Sequence, residues 1–175
     1  MTRIEPVDPA ELFPKVTSRF REGAFSLYGG RLPMLYRVLG NSPTLLSAWL
    51  DVAWALRFES TSPRALREIA ILLVGHRLEA PYCIGAHVRM AREAGVSAAE
   101  IEAVPAWSTS EVFNAQQRAV LGLTEAMLGQ HVGGDTLSLV TDLFGPEQTI
   151  ELVLTIAFYQ MVASTTKTLD LAPEG

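Results

Sequence analysis

No stretch of the chain alternates apolar and polar residues long enough to make a half-buried strand. Apolar positions recur instead at three- and four-residue intervals, the spacing of one face of a helix. In "NAQQRAVLGLTEAMLGQ" (114–130) they fall at Ala115, Ala119, Val120, Leu123, Ala126 and Met127, which predicts an amphipathic helix. Helix starts are marked by a cap-type residue followed by proline at Ser42-Pro43, Ser62-Pro63 and Gly145-Pro146. Proline suits the first helical position, where its missing N–H has no partner to lose. These starts predict helices over about 43–57, 63–78 and 146–168. Ala80-Pro81 opens a fourth that runs to Ala94 and stops at Gly95, and "SAAE" (Ser97 to Glu100) is a capping box opening a short one. A further short helix is expected over 135–145. With no repeat, linker or low-complexity segment, the pattern is that of a single all-α domain.

Helix 146–168 is apolar on more than one side, through Ile150, Leu152, Val153, Leu154, Ile156, Phe158 and Met161. Such a helix is either central to its domain or buried against another subunit.

Composition narrows the function classes. The chain has 175 residues, 49% of them apolar, enough for one domain with a substantial core. The formal net charge is −5 and there is no basic run or aromatic-interleaved basic patch, which argues against a nucleic-acid partner. Apolar stretches such as "IAILLVG" (69–75) are far shorter than the roughly 20 residues of a membrane span. The start, "MTRIEPVDPAELF", lacks the apolar core of a signal peptide. A single cysteine excludes an internal disulfide. A soluble, cytoplasmic protein is the expectation. His76, His87 and His131 show no metal-ligand spacing, and no glycine-rich phosphate loop is present. Neither a metal nor a cofactor is therefore expected. "YGG" (28–30) and "VGG" (132–134) read as turns.

The candidate chemistry lies in "EAPYCIGAHVRMAREAG" (79–95). With Pro81 as the first helical residue, Cys83 falls in the first turn, where free N–H groups and the helix dipole favour a thiolate. His87 follows at i+4 on the same face and could accept the thiol proton. Both features predict a lowered thiol pKa. On the preceding helix Glu68, Gly75 and Glu79 share a face, and two helices joined near 79–80 would pack as neighbours. That would turn Glu68 towards Cys83 and His87. Simpler readings stand beside these. Cys83 could be a small buried hydrophobe, His87 a core histidine, and Glu68 the partner of Arg64 or Arg67. Trp49 and Trp54 fit the core. Trp107, in "VPAWSTS", is a candidate for lining a pocket, with packing the plainer alternative.

The segment "SPRALREIAILLVGHRLEAPYCIGAHVRMAREAGVSAAEIEAV" closely resembles the core of the carboxymuconolactone decarboxylase family, which includes the alkyl hydroperoxidase D-like proteins. "IELVLTIAFYQMVAST" resembles its C-terminal helix and "GGRLPMLYRVLGNSPTLLSAWLDVAWALRFES" its helical lead-in, so the likeness covers residues 29–171 and leaves 1–28 as an N-terminal extension. Redox-active members carry a glutamate, eleven residues, then C-x-x-C-x-x-x-H. The resemblance places Glu68 at the glutamate, Cys83 at the second cysteine and His87 at the histidine. Ala80 replaces the first cysteine, and Tyr82 stands where some members have a further relay histidine. Tyr82, Glu79 and Trp107 are the substrate-pocket candidates.

The resemblance implies a helical bundle that assembles as a trimer or hexamer. It also implies a thiol-dependent, antioxidant-type peroxidase in which Cys83 attacks peroxide with help from Glu68 and His87. Without a resolving cysteine, an outside thiol or a neighbouring subunit's cysteine would have to reduce the sulfenic acid. The alternative is a cofactor-free decarboxylase or lyase on a small lactone or carboxylated substrate, with His87 and Glu68 as acid–base groups. A catalytically idle, ligand-binding oligomer is the third class.

Overall fold

Every residue from Leu66 to Gly75 is buried, Arg67 and Glu68 included, so the helix carrying them has no solvent face over about three turns. The computed structural model describes residues 2–12 and 32–173 of the chain. Among these, all regular elements are helical: α1 (Pro9–Leu12), α2 (Met34–Leu39), α3 (Pro43–Trp54), α4 (Arg64–Arg77), α5 (Pro81–Glu93), α6 (Ala98–Ala103), α7 (Ala115–Leu128) and α8 (Gly134–Thr168). α3 runs on into a π-helical turn, Ala55–Glu59, and α6 into a 3-10 turn, Val104–Thr109. The chain is an all-α helical bundle in which α4 packs against α5, α7 and α8.

The central helix is therefore α4, and of the two readings of 146–168 the one that made it central to its domain falls away. In the single chain that segment buries Leu152, Ile156, Phe158, Val162 and Ala163 on one side. On the other it leaves Ile150 58%, Leu154 52% and Met161 45% exposed. A second, smaller apolar cluster of Leu12, Leu32, Leu46 and Leu50 lies beside the main core. It ties the described part of the N-terminal extension to α3. The Val7 N–H donates to the Arg37 carbonyl at 3.0 Å and the Arg3 N–H to the Leu169 carbonyl at 3.1 Å. The expected boundary at 28/29 and the "YGG" turn lie outside the described residues.

Local chemistry sets the helix ends. Ser97 and Glu100 form the reciprocal capping box, the Glu100 N–H donating to Ser97 Oγ at 3.2 Å and the Ser97 N–H to Glu100 Oε2 at 2.7 Å. Asn114 and Gln117 make a second such box at the start of α7. α5 ends as expected: Gly95 has φ +93°, its N–H bonds the Arg92 carbonyl and the Val96 N–H bonds the Ala91 carbonyl. Gly145, at φ +72°, breaks α8 ahead of Pro146, so its two halves correspond to the two helices expected over 135–145 and 146–168. α4 begins one residue later than expected, with Pro63 extended in the cap position.

The corner between α4 and α5 decides what faces what. The Glu79 N–H bonds the His76 carbonyl at 3.2 Å and the Ala80 N–H bonds the Gly75 carbonyl at 2.8 Å, which closes α4 and places Glu79 at φ +50°. Lys167 of α8 adds a cation at the same end, its Nζ donating to the Leu78 carbonyl at 2.7 Å. Gly75 lets α5 come close, since a Cβ there would sit 2.9 Å from Ile84 Cγ1 and 3.6 Å from the Cys83 Cβ. With Gly75 opposite Cys83, the next residues along the contact are Glu68, two turns back on α4, and His87, one turn on along α5.

Glu79 is exposed and occupies a backbone region that favours glycine. Glu79→Gly is expected to raise the unfolding free energy by about 0.5–1 kcal/mol, because the left-handed strain exceeds the entropy glycine adds to the unfolded chain. Denaturant melts of the two proteins measure this. A loss of stability would mean that the Glu79 side chain holds the corner.

Candidate active site

Glu68 and His87 meet in the interior. His87 Nδ1 lies 2.8 Å from Glu68 Oε2, and both side chains are about nine-tenths buried. With Glu68 ionised, Nδ1 donates, which leaves Nε2 as the basic nitrogen of the ring. The other carboxylate oxygen, Oε1, faces Arg64 Nε at 3.5 Å, and Arg64 reaches on to Glu93 at 3.6 Å. Tyr159 of α8 stands edge-on to the imidazole, with ring centroids 4.8 Å apart and planes at 85°.

This pair forms one wall of a cavity of about 30 Å³, enough for a couple of waters or the reacting end of a small molecule. α4 contributes Arg64, Arg67, Glu68 and Ile71, and α5 contributes His87 and Met90. α8 supplies Thr155, Phe158 and Tyr159, and the end of α3 with its π turn supplies Ala53, Leu56 and Arg57. A π turn shifts the side chains after it out of α register, a distortion that recurs at functional sites.

Two of the sequence-predicted site residues line this cavity and the others do not. Cys83 is outside its lining. Glu79 is exposed on the corner. Tyr82 packs against the main core. Trp107 donates through Nε1 to Glu125 at 3.0 Å and lies under the Arg118 guanidinium, 5.5 Å from its ring centroid, where it fastens the 3-10 turn to α7. The tertiary contact adds Arg57, Arg67, Met90, Thr155 and Tyr159, which sequence reasoning did not nominate. For Arg67 a signal existed, a guanidinium beside Glu68 at the start of an apolar run. The two do not pair: Arg67 turns to the Ser62 carbonyl and hydroxyl instead.

Residues 43–126 match the model of the carboxymuconolactone decarboxylase family. The fold matches a cysteine-to-alanine variant of the debrominase Bmp8 in complex with 2,3,4-tribromopyrrole, with TM-score 0.83 and 19% identity over 100% of this chain and 93% of that one. It also matches the alkylhydroperoxidase AhpD core of a peroxidase-related protein from Ralstonia eutropha JMP134, with TM-score 0.81 and 16% identity over 99% and 92%. Residues 43–126 therefore resemble the carboxymuconolactone decarboxylase family, and the fold is that of the hydroperoxidase D-like structures. A peroxidase-related protein from Silicibacter sp. TM1040 matches at TM-score 0.81 and 16% identity, over 99% and 91%. No curated protein has a significant sequence match to the chain. Among the described residues no helix is long and apolar enough to cross a membrane, and no group of three or more His, Cys, Asp or Glu could hold a metal ion.

The expectation of a low-pKa thiol is corrected. Cys83 does fall in the first turn of α5, yet it is only 2% exposed and belongs to the main apolar core. Burial pushes its thiol up to about 11, and a hydrogen bond with the Thr166 side chain offsets only part of this. Desolvation of the anion outweighs the helix N-terminus. The hydrogen-bond partner of the thiol is Thr166 rather than His87.

Thiolate absorbance is therefore expected to appear with a midpoint near 11, far above that of an activated cysteine. The folded protein holds this proton more tightly than the unfolded chain does. The associated stability is thus full below the ordinary thiol pKa and is lost as pH rises towards the folded value. A midpoint below the ordinary value of about 8.5 would restore Cys83 as the activated group.

Proposed function

We propose that the protein is a cofactor-free enzyme of acid–base type, a decarboxylase, lyase or isomerase acting on a small carboxylated or lactone substrate. His87 is its proton-transfer residue, and Glu68 orients it. The observation that carries this reading is the 2.8 Å pair of Glu68 and His87 in the wall of a cavity. A carboxylate on Nδ1 fixes the ring and stabilises the imidazolium once Nε2 has taken a proton. In the forward step Nε2 removes a proton from a substrate carbon next to a carbonyl, and the electron pair left behind delocalises into that carbonyl. The imidazolium then returns the proton to a different atom. In a decarboxylation no C–H proton is removed: the C–C bond to the carboxylate breaks, its electron pair moves into the neighbouring carbonyl as carbon dioxide leaves, and Nε2 delivers to that carbon one proton taken from solvent. The Arg64 guanidinium stands 3.5 Å from Glu68 Oε1, on the side of the carboxylate away from His87.

A second reading, the thiol-dependent peroxidase of antioxidant type, is favoured by Cys83 lying one turn before His87 on α5 and by the peroxidase-related and debrominase relatives in fold. Its cycle oxidises Cys83 to a sulfenic acid as the peroxide O–O bond breaks, and two outside thiols then return the cysteine and release a disulfide and water. It requires the buried thiol to become accessible and lose its proton. Substrate turnover in Glu68→Gln, His87→Gln and Cys83→Ser separates the two. The acid–base reading expects the first two variants to fold and to lose about 10²- to 10⁴-fold in rate, with the third close to wild type. Loss in Cys83→Ser together with thiol-dependent peroxide consumption would select the peroxidase.

The exposed stripe Ile150, Leu154 and Met161 supports a homo-oligomer, which we place in the cytoplasm as a trimer or hexamer. Sedimentation is expected to show that assembly, and Leu154→Arg to dissociate it. A wild-type monomer at micromolar concentration would remove the proposal.

A further inference from the structure

Among the described residues, Arg67 is a buried charge without a carboxylate in ion-pair contact. It is 6% exposed and lines the cavity beside Glu68 and His87. Among the described residues no Asp or Glu oxygen lies within ion-pair distance of it. Its Nη1 makes both of its hydrogen bonds, to the Ser62 carbonyl and to Ser62 Oγ at 3.0 Å. Nε and Nη2 have no protein acceptor among the described residues. Buried guanidinium groups are ordinarily met by an anion, because the cost of desolvation is otherwise not recovered.

The support of this side chain is itself rigid. Glu151 of α8 accepts from the Thr61 N–H at 2.8 Å and from the Ser62 N–H at 2.7 Å, which pins the turn whose Ser62 holds Nη1. Burial would raise the Glu151 carboxyl, but these donors outweigh it and keep it below its ordinary value. Burial likewise lowers Arg67, and the Glu151 and Glu68 carboxylates at longer range pull it back up. Among the described residues, the cavity lining carries the guanidinium groups of Arg57, Arg64 and Arg67 and the carboxylate of Glu68. In a chain of net charge −5 this is a local reversal of sign.

We propose that Arg67 is the binding residue for a carboxylate, so that the ligands of this cavity are small monocarboxylic acids whose acid group pairs with the free edge of its guanidinium, next to His87. A planar guanidinium with two unused donors matches a carboxylate in a bidentate fork and an uncharged amide much less well. The inference rests on the acid–base reading for what the bound acid then undergoes, but the binding site itself stands on the geometry of Arg67 and the cavity.

Acetate is the probe, because it fits so small a space. Two signals report it: the thermal midpoint, and the His87 ring resonance, which is tractable with three histidines in the chain. Acetate is expected to shift both saturably, whereas acetamide and sodium chloride at matched ionic strength leave them unchanged. Arg67→Gln should abolish the acetate effect, and Arg67→Lys, which keeps the charge but loses the fork, should weaken it about tenfold or more. Glu68→Gln should bind acetate at least as tightly as wild type, since a neighbouring negative charge is gone. No saturable effect on the wild type, or wild-type acetate affinity in folded Arg67→Gln, would overturn the proposal. Should that variant fail to fold, unchanged affinity in Arg67→Lys overturns it equally. Acetate binding that follows Arg67 while Glu68→Gln retains full turnover would leave the carboxylate site standing and remove the acid–base function.

Discussion

The structure depends on how two adjacent charges, Arg67 and Glu68, are satisfied inside a helix that has no solvent face. Neither can be buried alone without a large desolvation cost, and each is met by a different part of the chain. Glu68 is met by His87 on α5 and by Arg64 on its own helix. Arg67 is met by Ser62 in the preceding turn, which Glu151 of α8 holds in place. The same polar network therefore joins α4 to α5 and α8, and its open side is the cavity. Apolar packing around α4 sets the distances, and the charges determine which arrangement of the helices is acceptable.

Chemistry and packing are separated by one helical turn on α5. At Gly75 the backbone of α4 comes so close that Cys83 is enclosed with apolar neighbours and Thr166. One turn further along, the facing residue of α4 is Glu68 rather than glycine, and the contact becomes polar. A thiol and an imidazole at i and i+4 lie on one face in projection, yet they occupy different environments because the opposing helix changes character between them. Burial, whose effect on an anion exceeds that of a helix N-terminus, then decides against the thiolate.

The cavity also shows how an acidic protein can present a basic interior. Its guanidinium groups come from α4 and from the π turn after α3, and the aromatic side comes from α8. Phe158 is in turn backed by Trp49 at a ring separation of 5.1 Å. Proteins similar in fold include a debrominase and a peroxidase-related protein, so likeness of fold does not by itself fix the chemistry.

Local rules in the sequence were sufficient for the elements. The capping box at Ser97, the stop at Gly95, the start at Pro81 and the break at Gly145 each follow from backbone groups and their nearest side chains, and each was legible without the fold. The face shared by Glu68 and Gly75, and by Cys83 and His87, was legible too, since it needs only 3.6 residues per turn. Which helix is central was not: hydrophobicity left 146–168 either central or set against another subunit, whereas the charges in α4 masked a burial that only their partners make possible. Nor could spacing separate Cys83 from His87, or bring Arg67, Thr155 and Tyr159 to one cavity. Those outcomes turn on which side chains of other helices stand opposite, and on how much water they exclude. Sequence by itself determined where the helices begin, end and bend, because those are short-range matters of hydrogen bonding and sterics. Tertiary structure alone decided which of the polar residues became a site, because desolvation is a property of everything packed around a group.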